Sequence, residues 1–270
     1  MTVRWDHLPA PQIREIASKP GALVVLPVGS LEQHGPHLPT ITDTVSAHEV
    51  SIAAAEIAAR DIPVLVLPGL WTGMSEHHLP FGGTISLNFA EFSGVIRGIV
   101  RSLRADGFGR LLIVNGHGGN KEPLAVIARE CAHEFGMPVV ATTPWYAAAA
   151  AVKEILETAP GAQHACEGEA SLMLRIMGEH VRADQFEAAK RQAPAPIEAR
   201  DGYSRFWAFS ERAPVTGTKG DPRPATREKG ERLLKAMAEA LAAAMKDPVL
   251  WRTPDPVWSP GRGQGPTAPV

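Results

Sequence analysis

Four short apolar runs, spaced by longer helix-forming stretches, constrain this chain more than any other feature. They are ALVVLPV (22–28), IPVLVLP (62–68), RLLIVNG (110–116) and MPVVATT (137–143). Runs of this length suit strands buried on both faces, and their alternation with helical segments is the pattern of βα units around a largely parallel sheet. The stretches between them read as helices over 43–60, 89–107 and 124–136, with Thr42 or Asp43 as N-cap of the first. Further on, 147–159 and 169–180 read as helices, 184–223 as loops, and REKGERLLKAMAEALAAAMK (227–246) as an amphipathic helix. No repeat or linker divides the chain. The expected architecture is therefore a single-domain α/β fold with a mainly parallel central sheet flanked by helices. It is expected to span 1–250, with a flexible tail over 251–270 ending in SPGRGQGPTAPV.

In open α/β sheets, ligands bind beyond the carboxyl ends of the strands, where loops converge and helix N-termini offer N–H groups. The polar clusters of this chain fall there. Glu32 and His34 follow the first run, Ser75, His77 and His78 the second, and Asn115, His117 and Asn120 the third. Glu32 and His34 are two residues apart, so an extended backbone points both side chains to one side. Asp43 comes after GPHLPTIT, enough chain for a turn that returns its carboxylate to the same place. Carboxylate oxygens and imidazole nitrogens suit zinc, manganese or iron, and a carboxylate can bridge two ions. Taken singly, any of these residues reads as a solvated loop residue; three clusters at three successive strand ends are harder to dismiss, and a metal site stands beside the solvated-loop reading. A fourth cluster, QHACEGEAS (163–171), lies where a loop enters a helix. There Glu167 and Glu169 are either carboxylates placed to favour the helix dipole or ligands, and His164 is a candidate proton-transfer group.

Other chemistries lack their signatures. NGHGGN resembles a phosphate-cradling turn only in its glycines, since neither GxxxxGK[ST] nor GxGxxG is present. No GxSxG elbow occurs, and HEVSI and HEFGM do not complete HExxH. Cys131 and Cys166 form no CxxC pair, and Cys166, two residues from His164, reads as a buried structural thiol. With 44% hydrophobic and 21% charged residues and a net charge of -2, composition gives no basic surplus for nucleic acid or anionic lipid. No run approaches eighteen apolar residues and no h-region opens the chain, so a cytoplasmic protein with a small-molecule substrate is expected.

LPVGSLEQHGPHLPTITDT, GMSEHHLPFGGTISL, VNGHGGN, HACEGEAS and GTKGDPRPATREKG, in that order, resemble the motifs of the creatininase family of metal-dependent amidohydrolases over roughly residues 20–245. The resemblance implies a single-domain α/β fold, two divalent ions per subunit (zinc, manganese or iron) and a homo-oligomer, frequently a hexamer. It implies Glu32, His34, Asp43, His117 and Glu169 as metal ligands, Asp43 as the bridge, and His164 as general acid/base. Ser75, His78, Gly118 and Gly119 then line the substrate. The implied reaction is hydrolysis of a non-peptide C–N bond, as in a cyclic amide such as creatinine or a formamide. Peptide cleavage in cofactor maturation, or opening of a sugar-derived cyclic ketone, is the alternative within the family. A small-molecule binding protein or a structural assembly subunit is the alternative outside catalysis. Two departures bear on substrate. Creatininase has a tyrosine and a glutamate where this chain has Gly118 and Gly119, and an aromatic before the HAG-like motif where this chain has TAPGAQ (158–163), leaving Trp145 or Tyr146 as candidate rings. His37 has no derivable role.

Overall fold

The computed structural model describes residues 2–190 and 205–255. Four parallel strands, β1 (Leu23–Val28), β2 (Val64–Val66), β3 (Leu111–Asn115) and β4 (Val139–Thr142), form one sheet in the order β2-β1-β3-β4. β1 pairs with β3 from Val24↔Leu111 to Val28↔Asn115, so the two strands end level. Alternation along the strands sorts side chains to two cores. Leu23, Val25, Leu112 and Val114 join one, and Val24, Leu26, Leu111 and Ile113 the other.

The first core is covered by α2 (Thr42–Ala58) and by the long C-terminal helix Arg227–Lys246. The second is covered by α1 (Ala10–Ala17), α3 (Phe89–Ala105) and α4 (Lys121–Phe135). The connection from β1 to β2 uses one face, and that from β3 to β4 uses the other in the opposite direction. This makes the gap between β1 and β3 the topological switch point where α/β sheets place ligands.

Two glycines let α2 dock onto those strand ends. A Cβ on Gly29 would stand 2.3 Å from Thr44 Cα, and one on Gly116 would stand 2.2 Å from the Asp43 carbonyl oxygen. Any side chain at either position would lift the first turn of α2 off the sheet.

The helix boundaries correct several expectations. Neither Thr42 nor Asp43 caps α2: both lie inside its first turn, after Ile41 at the N-cap position. The Thr42 hydroxyl donates to the Pro39 carbonyl (2.7 Å), and the Asp43 carboxylate turns to His34 instead. The expected helix over 147–159 starts earlier and breaks, giving α5 (Pro144–Ala147) and α6 (Ala149–Ile155). Proline at the first position starts it early. Leu156 then turns extended because Glu167 captures the next amides, Glu157 N–H at 2.9 Å and Thr158 N–H at 2.9 Å. The expected helix over 169–180 is α7 (Glu167–Ile176), and Gly178–His180 forms a separate 3-10 turn. Within 184–223, read as loops, lie two short helices, α8 (Phe186–Ala189) and α9 (Phe209–Arg212), while 191–204 fall outside the described residues. Helix α10 (Arg227–Lys246) has the expected bounds, capped by Thr226, whose hydroxyl accepts from Lys229 N–H (3.1 Å). Beyond it Trp251 packs into the first core, and the SPGRGQGPTAPV segment lies outside the described residues. Among the described residues no helix is long and apolar enough to cross a membrane.

Helix α10 is fastened to α7 by a buried charge. Lys229 Nζ lies 2.6 Å from Glu167 Oε1 and 2.6 Å from Glu157 Oε1, and donates to the Pro224 carbonyl at 2.8 Å. Removing the cation leaves the Glu167 carboxylate, which has almost no solvent contact, with only the neutral Glu157 and Thr158 donors to balance its charge. Lys229→Met should therefore cost about 3 kcal/mol in urea unfolding. Lys246→Met, which breaks the exposed pair with Asp61, should cost less than about 1 kcal/mol. Equal losses would remove the special role assigned to Lys229.

Candidate metal centre at the switch point

The structure gathers Glu32, His34, Asp43, His117, His164 and Glu169 at the carboxyl ends of β1 and β3. Asp43 stands in the middle. Its Oδ1 lies 3.0 Å from His34 Nε2 and its Oδ2 lies 3.1 Å from His117 Nδ1. On one side Glu32 Oε2 lies 3.0 Å from His117 Nδ1, and on the other Glu169 Oε2 lies 3.8 Å from His34 Nε2. Two donor triads result, Glu32–Asp43–His117 and His34–Asp43–Glu169, each with ligand atoms within 4.8 Å of one another, and Asp43 belongs to both. Glu32, His34 and His164 form a third overlapping group.

Several features fit these residues to divalent cations. Three carboxylates share a pocket with little water: Glu32 is fully buried, Asp43 3% exposed and Glu169 9% exposed. Among the described residues no hydrogen bond reaches Glu32 Oε1 or Asp43 Oδ2, although His78 Nε2 is 3.2 Å from the first and His117 Nδ1 3.1 Å from the second. Buried carboxylate oxygens without hydrogen bonds are costly unless a cation meets them. Each ligand histidine also has one nitrogen occupied. His34 Nδ1 lies 3.1 Å from the Glu32 carbonyl, leaving Nε2 free, and His117 Nε2 lies 3.1 Å from the Met74 carbonyl, leaving Nδ1 free. Such backbone partners set the tautomer that presents a lone pair to an ion.

The neighbouring residues brace this arrangement. Asn115 accepts from His117 N–H (3.1 Å) and donates to its carbonyl (2.7 Å). Asn120 ties the loops after β1 and β2 together through Gly29 O (3.0 Å) and Met74 N–H (2.9 Å). The asparagines of NGHGGN thus hold loops in place. Ser75 is fully buried, its hydroxyl against Ser30 Oγ and 3.2 Å from His117 Nε2, and Ser30 donates to Glu32 Oε2 at 2.9 Å. Gly118 is exposed with open space where a Cβ would go, whereas a Cβ on Gly119 would meet His117 Nε2 at 2.5 Å.

Charge follows burial and neighbours. Burial alone would raise Glu32, but His117, His78 and His164 outweigh it and hold the carboxyl well below its usual range. Burial would lower His34, but Asp43 and Glu169 raise it to about 10, and His117 is held well above its ordinary value by Glu32 and Asp43. Burial and then His34 and His78 push His164 well below its ordinary value, so this imidazole is neutral. Burial first, and the Asp43 charge, raise Glu169 to about 7 despite His34.

Sequence reasoning missed the ring over this pocket. Phe209, from α9, stacks on His78 (centroids 4.3 Å, 29°) and meets His164 edge-on (4.7 Å, 68°). It lies in a stretch without periodicity, so no local signal marks it. The candidate rings Trp145 and Tyr146 are corrected: Trp145 is buried in the first core against Gly168, and Tyr146 is 64% exposed beneath Lys121. Gln33, between two expected ligands, was also passed over. Cys166 is buried, its thiol pushed up to about 12 by burial and Glu169, which suits packing and not nucleophilic attack. His37 packs edge-on against Phe186 (5.5 Å), and burial lowers it to about 4.

Residues 6–245 match the creatininase family model, described as creatinine amidohydrolase. The chain belongs to the creatininase family, whose members are metal-dependent hydrolases. It is 35% identical over 230 residues to the mycofactocin precursor peptide peptidase of Mycobacterium tuberculosis, covering 80% of this chain and 81% of the relative. It is 29% identical over 243 residues to the creatinine amidohydrolase of Pseudomonas putida, covering 83% and 89%. Its fold matches a manganese creatininase with TM-score 0.75 at 27% identity, over 91% of this chain and 98% of the other. A creatininase variant of zinc–zinc type matches with TM-score 0.74 at 27% identity, over 91% and 97%.

Their carboxylate neighbours make His34, raised to about 10, and His117, raised well above its ordinary value, hold a proton more tightly than a free imidazole does. A ligating imidazole is neutral, so ion uptake must expel protons, and affinity must rise with pH until these rings have titrated. Calorimetry of zinc binding at pH 7 in two buffers of different ionisation enthalpy should show proton release. Buffer-independent heats would contradict it.

Proposed function

We propose that this chain hydrolyses an amide-type C–N bond, with Glu32, Asp43 and His117 holding one divalent ion and His34, Asp43 and Glu169 a second. The observation that carries the reading is Asp43, one oxygen turned to each triad, beside a neutral His164. When bound, such ions acidify water and polarise a carbonyl oxygen. The protein's own groups do the rest. Neutral His164 can accept a proton and deliver it to the departing nitrogen, and its side chain, 12% exposed, borders the pocket from the Phe209 side. Phe209 excludes water from the histidines below it. Of the four positions read as substrate-lining, Gly118 is exposed, Gly119 is half-buried, and Ser75 and His78 are buried beside the ligand residues.

Within this reading the substrate is a non-peptide amide, a cyclic amide or a formamide, because a site this closed admits a small carbonyl group. A peptide bond is the second reading. It is favoured by the open space at Gly118 and by the relative named as a peptide peptidase. A screen of cyclic amides, formamides and short peptides, with zinc or manganese added, separates the two. No turnover of any C–N substrate by metal-loaded protein would defeat both.

Asp43→Ala should lose bound metal and activity together, as read by elemental analysis and turnover. His164→Gln should keep its metal and lose about 10²–10⁴-fold in kcat. Full turnover by the His164 variant would refute its assignment.

A further inference from the structure

Helix α9 brings two side chains of unlike chemistry to the pocket. Phe209 and Arg212 are one turn apart and so share a face of the helix. That helix packs against the 3-10 turn Glu76–Phe81, which carries His77 and His78. Besides covering His78 and His164, the Phe209 ring lies 6.1 Å from that of His77. His77 in turn stacks on His117 (centroids 5.5 Å, 18°) and presses on the loop after β3, where a Cβ on Gly119 would stand 2.8 Å from its Cε1. Phe209, His78 and His117 are buried, whereas His77 and Arg212 are half-buried, so the last two are the outermost of the group. The segment is also tied down beyond α9: Gln33 Nε2 donates to the Gly217 carbonyl at 3.1 Å and lies 2.8 Å from His78 Nδ1.

The other charges beside α9 are committed. The Glu211 carboxylate accepts the Ala208 N–H at 2.9 Å, and the Arg205 guanidinium lies 3.7 Å over the Trp207 ring. Among the described residues no carboxylate pairs with Arg212. Its near neighbour is no counter-ion either: burial first, then His117 and Arg212 itself, lower His77 to about 4 against the pull of Glu32, so that imidazole is neutral. A guanidinium partly shielded from water gains from an anion that fits its planar fork, and a carboxylate fits it with two parallel hydrogen bonds.

We propose that Arg212 is a specificity-determining residue that binds a carboxylate on the substrate. The C–N bond cleaved then belongs to an amide that carries its own acid group, as in an N-formyl or N-acyl amino acid or the C-terminal residue of a peptide. The inference rests on the hydrolase reading above and selects the acid-bearing members of both its substrate classes. It gives the half-buried cation a partner and assigns the two residues of one α9 face separate tasks, Phe209 to exclude water and Arg212 to select substrate.

The test uses zinc-loaded protein and matched substrates: N-formyl amino acids, N-acetyl amino acids and dipeptides, each as the free acid and as its carboxamide. The free acid should be the better substrate by at least about tenfold in kcat/KM. Arg212→Met should raise KM for the acid about 10–100-fold with little change in kcat, and leave the carboxamide as it was. Arg212→Lys should recover part of the loss, since it restores the charge without the fork. Added salt should raise KM for the acid alone. Equal rates for acid and carboxamide in the wild type overturn the proposal. So does an equal loss of both in Arg212→Met, which would mark a residue that merely holds the roof. If the wild type turns over none of these compounds, the hydrolase reading fails by itself, and binding decides the subsite. An N-acetyl amino acid should then shift the Arg212 Nε signal of 15N-arginine protein, assigned by its loss in Arg212→Lys, and an unmoved signal overturns the proposal.

Discussion

The site depends on the close seating of α2 on the ends of β1 and β3. Glycine at 29 and 116 lets the backbone of Asp43 and Thr44 approach within contact of the strand ends. That approach carries one carboxylate into the gap between two histidines held by different loops. Moved outward by one side-chain layer, Asp43 would serve neither triad, and Glu32 and His117 would be left beside β3 as an ordinary buried pair.

Around this contact the molecule separates two tasks. Acidic and imidazole groups line the pocket, while a shell of neutral donors and acceptors holds them: Ser30, Ser75, Asn115, Asn120, Gln33 and several backbone carbonyls. The shell leaves one nitrogen of each ligand histidine free and directs the other to a fixed acceptor. In a pocket with little water, each such hydrogen bond costs no reorganisation when charge moves, which is what a site for proton transfer and carbonyl polarisation requires. The Lys229–Glu167 pair plays a parallel part farther out, ending α6 and thereby placing the loop that carries His164.

Much of this was legible along the chain. The four apolar runs became the four strands, the first trimmed by one residue at its start and the others at both ends. The clusters after the first and third runs met because parallel strands align their carboxyl ends. Helix ends were less legible, for reasons visible in particular residues. Glu167, ten residues away, took the amides that would have continued α6, and Asp43 was drawn off from capping by His34. Phe209 and Gln33 could not be recognised, because one sits in a stretch without periodicity and the other is an amide with no chemical signature of its own.

By itself the sequence determined the donor set, the order in which the strands present it and the glycines that allow close approach. These are local properties: side-chain chemistry, hydrophobic period and backbone freedom. Only the tertiary structure decided which nitrogen of each histidine is free and which aromatic ring covers the pocket. Apart from His34, whose Nδ1 meets the Glu32 carbonyl two positions away, those outcomes depend on partners tens to nearly two hundred residues away in the chain. His78 lies 45 positions from Gln33 and Gly217 lies 184, and such distances carry no local signal until the sheet and α2 have brought the segments together.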